Sequence, residues 1–202
     1  MISLHIQVKS SVLTIVMAIG GDVPKLMEST VRVAQNLVRN TAKLKYLSGP
    51  RPERLGVITG RLRNSIAAPP PIRSSRGDVV GYVGTNVVYA RIHEFGGEIK
   101  PKNAQWLTIP VNPTIKGRAR DYQDTYIAPL KSGGFAIFQA ERSGTTQTGQ
   151  HPIFWLARKV KIPARPFLHP ALLDSRPAIQ VLFSQQIQMI VNQAIKKHSG
   201  GR

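Results

Sequence analysis

The sequence predicts an α+β fold: an antiparallel β-sheet with a long N-terminal helix, a C-terminal helix and a β-hairpin. Three observations predict it. Helical periodicity lies near both ends of the chain, at 23–46 and 177–197. Short β-prone runs broken by glycine and proline lie between them. Helices at both ends with strands between them read as α+β, and no internal repeat is visible. A chain of 202 residues that is 42% apolar can bury a core as a single domain spanning 1–202.

The elements follow in order. In residues 2–8, Ile2, Leu4, Ile6 and Val8 alternate with Ser3, His5 and Gln7, the period of a strand with one buried face. "SVLTIVMAI" is a very apolar segment that reads equally as helix or strand, and Gly20-Gly21 ends it. Only His5 and Lys9 precede it, which argues against a secretion signal.

Asp22 is placed to cap the next helix, with Pro24 in its first turn. Val23, Leu26, Met27, Val31, Ala34, Leu37, Val38 and Ala42 then recur at helical spacing. Lys25, Arg32, Arg39 and Lys43 occupy the opposite face. That basic stripe is either an ordinary solvated face or a surface turned to DNA.

Two prolines and three glycines make 47–60 irregular, and Thr59 or Gly60 opens a short helix at "RLRNSI". The triple proline 69–71 closes it. "DVVGYVGTNVVYA" (78–90) reads as a strand with a glycine bend, and "QWLTIPV" (105–111) as another. Residues 112–132 read as a loop. "GGFAIFQAER" and "PIFWLARKVKI" read as two strands of a hairpin, joined by the polar tip "SGTTQTGQ". Four prolines in 163–177 predict a rigid connection. The last helix follows, apolar on more than one face, and so predicted to need two partners.

Charge bounds the function. Twenty-eight Lys and Arg against ten Asp and Glu give +18, a field that attracts polyanions. Between Arg32 and Arg76 ten basic residues face one acid, Glu53. No cysteine means no disulfide, no thiolate metal site and no cysteine nucleophile. No apolar run reaches the ~18 residues of a membrane span, so no membrane partner is expected.

Sequence motifs for catalysis are missing. There is no phosphate-binding loop, dinucleotide fingerprint, zinc-protease helix or serine nucleophile elbow. The five histidines are scattered, so neither a metal site nor a cofactor is expected. His93 and Glu94 are the sole adjacent candidate pair for an enzyme, a nuclease among the possibilities. Gly81-Tyr-Val-Gly84 has the G-x-x-G spacing of an RNA-backbone clamp, but glycines at a strand bend explain it better. The aromatics sit mostly in apolar runs, as core residues do, rather than interleaved with bases as in a single-strand platform.

Three segments occur in order: "TGRLRNSI" (59–66), "VGTNVVYARIHEFGG" (83–97) and "IPARPFLHPAL" (162–172). Together they resemble the virion morphogenesis proteins of tailed bacteriophages, the tail-component and tail-completion family of siphophages and its Mu-type relatives. The resemblance covers most of 23–197. It implies a structural virion protein and no enzyme. Such a protein assembles in the host cytoplasm into a homo-oligomeric ring, six-fold by family expectation, at the head–tail joint or neck. The ring meets neighbouring connector and tail-tube proteins, and genomic DNA passes through its lumen with weak, non-specific contact. Against shorter members, 112–161 is an insertion carrying the hairpin.

Within this frame the motif residues have scaffold and subunit-interface roles. Gly84, Gly96 and Gly97 permit turns. Tyr89 and Phe95 anchor their segment on the sheet, while Arg91 and Glu94 are available for ion pairs. Thr59, Arg61 and Arg63 act similarly. Arg165 reaches a carboxylate, and Phe167 and Leu168 plug a pocket. Lys25, Arg32, Arg39 and Lys43 are the DNA-facing candidates. The alternatives are a free, sequence-independent nucleic-acid-binding protein and a tail terminator that controls tail length.

Overall fold

A computed structural model describes residues 2–8, 23–50, 55–75, 78–140 and 151–199. The fold is α+β, and the chain forms two compact units: 1–96 with 163–202, and 97–162. The apolar segment 11–21 and the tip 143–150 lie outside the described residues.

In the first unit, β1 (Ile2–Val8), β2 (Ile72–Arg73) and β3 (Val79–Thr85) form a sheet of order β1-β3-β2, antiparallel throughout. The alternation in β1 is realised: Ile2, Leu4 and Ile6 pack on the core, while Ser3, His5 and Gln7 face outward. Helix α1 (Val23–Thr41) continues as a π-turn over Ala42–Tyr46, closed by Leu47 N–H donating to the Ala42 carbonyl at 2.9 Å. Its buried line is Met27, Val31, Ala34, Val38 and Ala42, the helical stripe that the sequence predicts.

Gln35 is fully buried on the same helix, where its Nε2 donates to the carbonyls of Pro69 and Tyr82 at 2.9 and 2.8 Å. This closeness explains Gly81. A Cβ there would lie 2.6 Å from Val31 Cγ1 and 2.7 Å from Gln35 Cδ. Gly84 is likewise pressed against the backbone of Ile2 and Ser3 in β1. Both glycines stand inside a regular strand rather than at a bend or turn. Close approach, not positive φ, accounts for them.

Helix α2 (Arg61–Ser65) follows Gly60, whose φ of 72° is left-handed. After β3 the chain turns into α3 (Ala90–Phe95), where the sequence reads as strand through Ala90. The strand ends because Thr85 Oγ1 bonds the Ser65 hydroxyl and accepts the Val87 N–H at 3.1 Å. Gly96 and Gly97 do take positive φ, 71° and 150°.

The last helix, α4 (Leu168–Ser199), begins well before Pro177. The proline-rich connection is therefore shorter than expected. Pro170 falls in the first turn, where no intrahelical N–H is required, and Pro177 is carried inside the helix. Ile179, Ile190, Leu182 and Phe183 pack inward on the cores built around α1. Leu173, Val181, Met189 and Ile195 stay exposed, so only one of the two expected partners is supplied by this chain's described residues.

The second unit holds two sheets. Strands β4 (Gly97–Ile99) and β9 (Val160–Ile162) pair antiparallel. Strands β5 (Leu107–Pro110), β6 (Thr125–Pro129), β7 (Phe135–Gln139) and β8 (Pro152–Ala157) form a sheet of order β5-β8-β7-β6. The β7–β8 pair is the predicted hairpin. β6 lies in the stretch read as loop; its Thr-Tyr-Ile core is short and ends at Pro129, which an edge strand tolerates. Phe154 is buried and meets Tyr122 edge-on at 5.4 Å. Trp155 and Phe135 keep partly exposed faces, so not every aromatic is a core residue.

Candidate functional site

The three resembling segments all contribute to the first unit, and a carboxylate joins two of them. Glu94, on α3, is 4% exposed. One of its oxygens, Oε2, accepts the N–H groups of Phe167 at 2.8 Å and Leu168 at 3.0 Å. Oε1 accepts the His169 N–H at 2.9 Å. These are orphan donors at the start of α4, which no intrahelical carbonyl can satisfy. A carboxylate here supplies both hydrogen bonds and a negative charge at the positive end of the helix. Close by, the Arg165 N–H donates to the His93 carbonyl at 2.7 Å. The "YARIHEF" segment thus caps the helix that "ARPFL" begins, with Phe167 and Leu168 wholly buried at the joint.

This changes the role read for Glu94. It pairs with backbone rather than with a cation, its two oxygens accepting three N–H groups. Phe95 also departs from expectation: at 67% exposed it does not anchor on the sheet. Helical geometry turns it away from the buried side that carries Ala90 and Glu94. Tyr89 is 40% exposed and meets the His93 ring edge-on at 5.9 Å. Arg91 is exposed, and Arg165 is half-buried with no carboxylate in salt-bridge range among the described residues.

Thr59, Arg61, Arg63 and Tyr89 all line one cavity of about 260 Å³, together with His93 and the apolar Leu47, Leu55 and Leu62. Thr59 Oγ1 accepts the Arg61 N–H at 3.4 Å. Arg63 reaches the other way, donating from Nη1 to the Ser48 hydroxyl at 3.3 Å.

The DNA-facing candidates divide. Lys25 and Arg32 are exposed, whereas Arg39 and Lys43 are half-buried. Lys43 lies in the π-turn after Thr41, and the Ser48 hydroxyl donates to its carbonyl at 2.8 Å. Burial, then the neighbouring charges of Arg39 and Arg63, hold the Lys43 ammonium below the ordinary lysine range. The Arg39 Nε is buried with no hydrogen-bond partner among the described residues.

Sequence reading missed a second tie between α1 and α4. Asp174 accepts hydrogen bonds from Lys45 Nζ at 2.6 Å and Tyr46 Oη at 2.5 Å. These bonds hold the Asp174 carboxyl below the usual carboxylate range and push the Tyr46 phenol up. Nothing local in "DSRP" marks its partner, 129 residues away.

Among the described residues, no three His, Asp or Glu side chains gather as metal ligands, and no helix is long and apolar enough to cross a membrane. Comparison with protein-family models, curated proteins and solved structures found no match to the chain.

Proposed function

We propose that this protein is a structural component of a tailed-phage virion, a ring-forming protein of the neck or tail terminus. The observation that carries the reading is the Glu94 clamp: it ties two of the resembling segments into one buried joint, so their order along the chain has a structural reason. That joint is scaffold chemistry. Helix α4 adds support, because its exposed Leu173, Val181, Met189 and Ile195 offer apolar surface for a second copy, as ring closure requires. The basic stripe suits a lumen traversed by DNA, with contact weak enough to permit passage.

The test is an amber mutation in the gene, with lysates viewed by negative-stain microscopy. Separate filled heads and free tails are expected for a protein that completes the joint. Abnormally long tails would instead assign a tail terminator. Normal infectious particles would refute the structural reading. A free nucleic-acid-binding protein would then be favoured, on the neighbouring half-buried cations Arg39, Lys43 and Arg63.

A further inference from the structure

We infer that Arg39, Lys43 and Arg63 form a phosphate-binding site for the backbone of a nucleic acid. Arg39 stands one turn before Lys43, where α1 passes into its π-turn. Arg63 comes from α2 and is held beside them by its hydrogen bond to Ser48, whose hydroxyl is itself fixed on the Lys43 carbonyl. The three cations therefore converge from two elements. Among the described residues none of the three forms an ion pair with a carboxylate.

Such a cluster costs the folded protein stability. Like charges repel, and a half-buried ammonium has lost part of its hydration. The Arg39 Nε–H adds a buried donor without an acceptor. A phosphate answers the first two: it is anionic, it presents several acceptor oxygens, and guanidinium groups bind it in a fork. A nucleic acid is favoured over an acidic protein because the same face of α1 carries a further exposed cation, Arg32, two turns before Arg39. A strand of phosphates can follow such a line, whereas an isolated carboxylate needs no extension.

The inference deepens the DNA-contact part of the proposed function but not its ring. Binding by the isolated protein can fail while virion assembly persists, and the reverse, so the two tests fail separately.

The experiment uses the full chain, a fluorescein-labelled 20-base-pair duplex and anisotropy across a NaCl series. The variant is Lys43→Gln with Arg63→Gln. The control removes the same charge elsewhere, with Lys102→Gln and Lys131→Gln, both exposed lysines. The site variant is expected to reduce the slope of log K against log salt by about 2, near 0.9 per lost phosphate contact. The control is expected to change it much less. Equal losses in both variants would overturn the site in favour of diffuse charge. Polyglutamate displacing the duplex at equal charge concentration would assign an acidic protein partner instead.

A second readout guards against misfolding. Lys43→Gln relieves repulsion and desolvation, so its thermal midpoint is expected to rise while duplex affinity falls. A lowered midpoint would show a stabilising role for the ammonium and overturn the inference.

Discussion

Removing the Glu94 carboxylate tests the joint directly. Three backbone N–H groups converge on it at 2.8, 3.0 and 2.9 Å, and the first two belong to fully buried residues. A hydrogen bond to a charged group contributes about 1.5–3 kcal/mol net. The three share one acceptor group and are not independent, so their sum overstates the loss. Glu94→Ala is expected to destabilise the first unit by about 3–5 kcal/mol, since it strands buried N–H donors at about 1–3 kcal/mol each. Glu94→Gln keeps one carbonyl oxygen, which can still accept from Phe167 and Leu168. Its amide then opposes the His169 N–H donor to donor, so a loss of about 2 kcal/mol is expected. Urea unfolding followed by circular dichroism at 222 nm reads the helices, the longest of which lie in the first unit. Both tryptophans lie in the second unit, so their fluorescence reports on that unit separately. The capping argument is refuted if Ala costs less than about 0.5 kcal/mol, the scale of an ordinary surface change, or if Gln costs as much as Ala.

Three further perturbations probe other parts of the fold. Gly81→Ala forces a Cβ into Val31 and Gln35, and is expected to cost about 1–3 kcal/mol by overpacking, read from the same urea transition. Asp174→Asn tests the tie to Lys45 and Tyr46. Because the folded carboxyl is held below its ordinary value, its stabilisation is present above the unfolded carboxylate pKa and is lost as pH falls through the folded one. The wild type should therefore melt higher than the variant near neutrality, with the gap closing in acid; a gap that persists there would show that charge is not the cause. Replacing 98–161 by a short Gly-Ser turn should leave the first unit folded. Gly97 and Ile162 are paired partners in β4 and β9, about 4.5–5.5 Å apart as antiparallel pairs are, so a tight link can span them. Loss of the cooperative helical transition would contradict the division into two units.

Local pattern determined much of this protein. The apolar line of α1, the alternation of β1 and the β7–β8 hairpin follow from side-chain period, which a single segment displays by itself. Net charge and the lack of cysteine likewise need no fold. Tertiary structure decided the rest, because it depends on what lies opposite. The start of α4 at Leu168, amid prolines that locally argue against a helix, has its orphan N–H groups met by a carboxylate more than seventy residues earlier. Gly81 and Gly84 look like bend residues until the helix and strand pressed against them are seen. β6 is too short and too close to proline to announce itself, and becomes a strand because β7 offers it an edge. The basic stripe shows the same division: spacing puts its residues on one face, but only the tertiary fold brings Lys43 and Arg63, both half-buried, together.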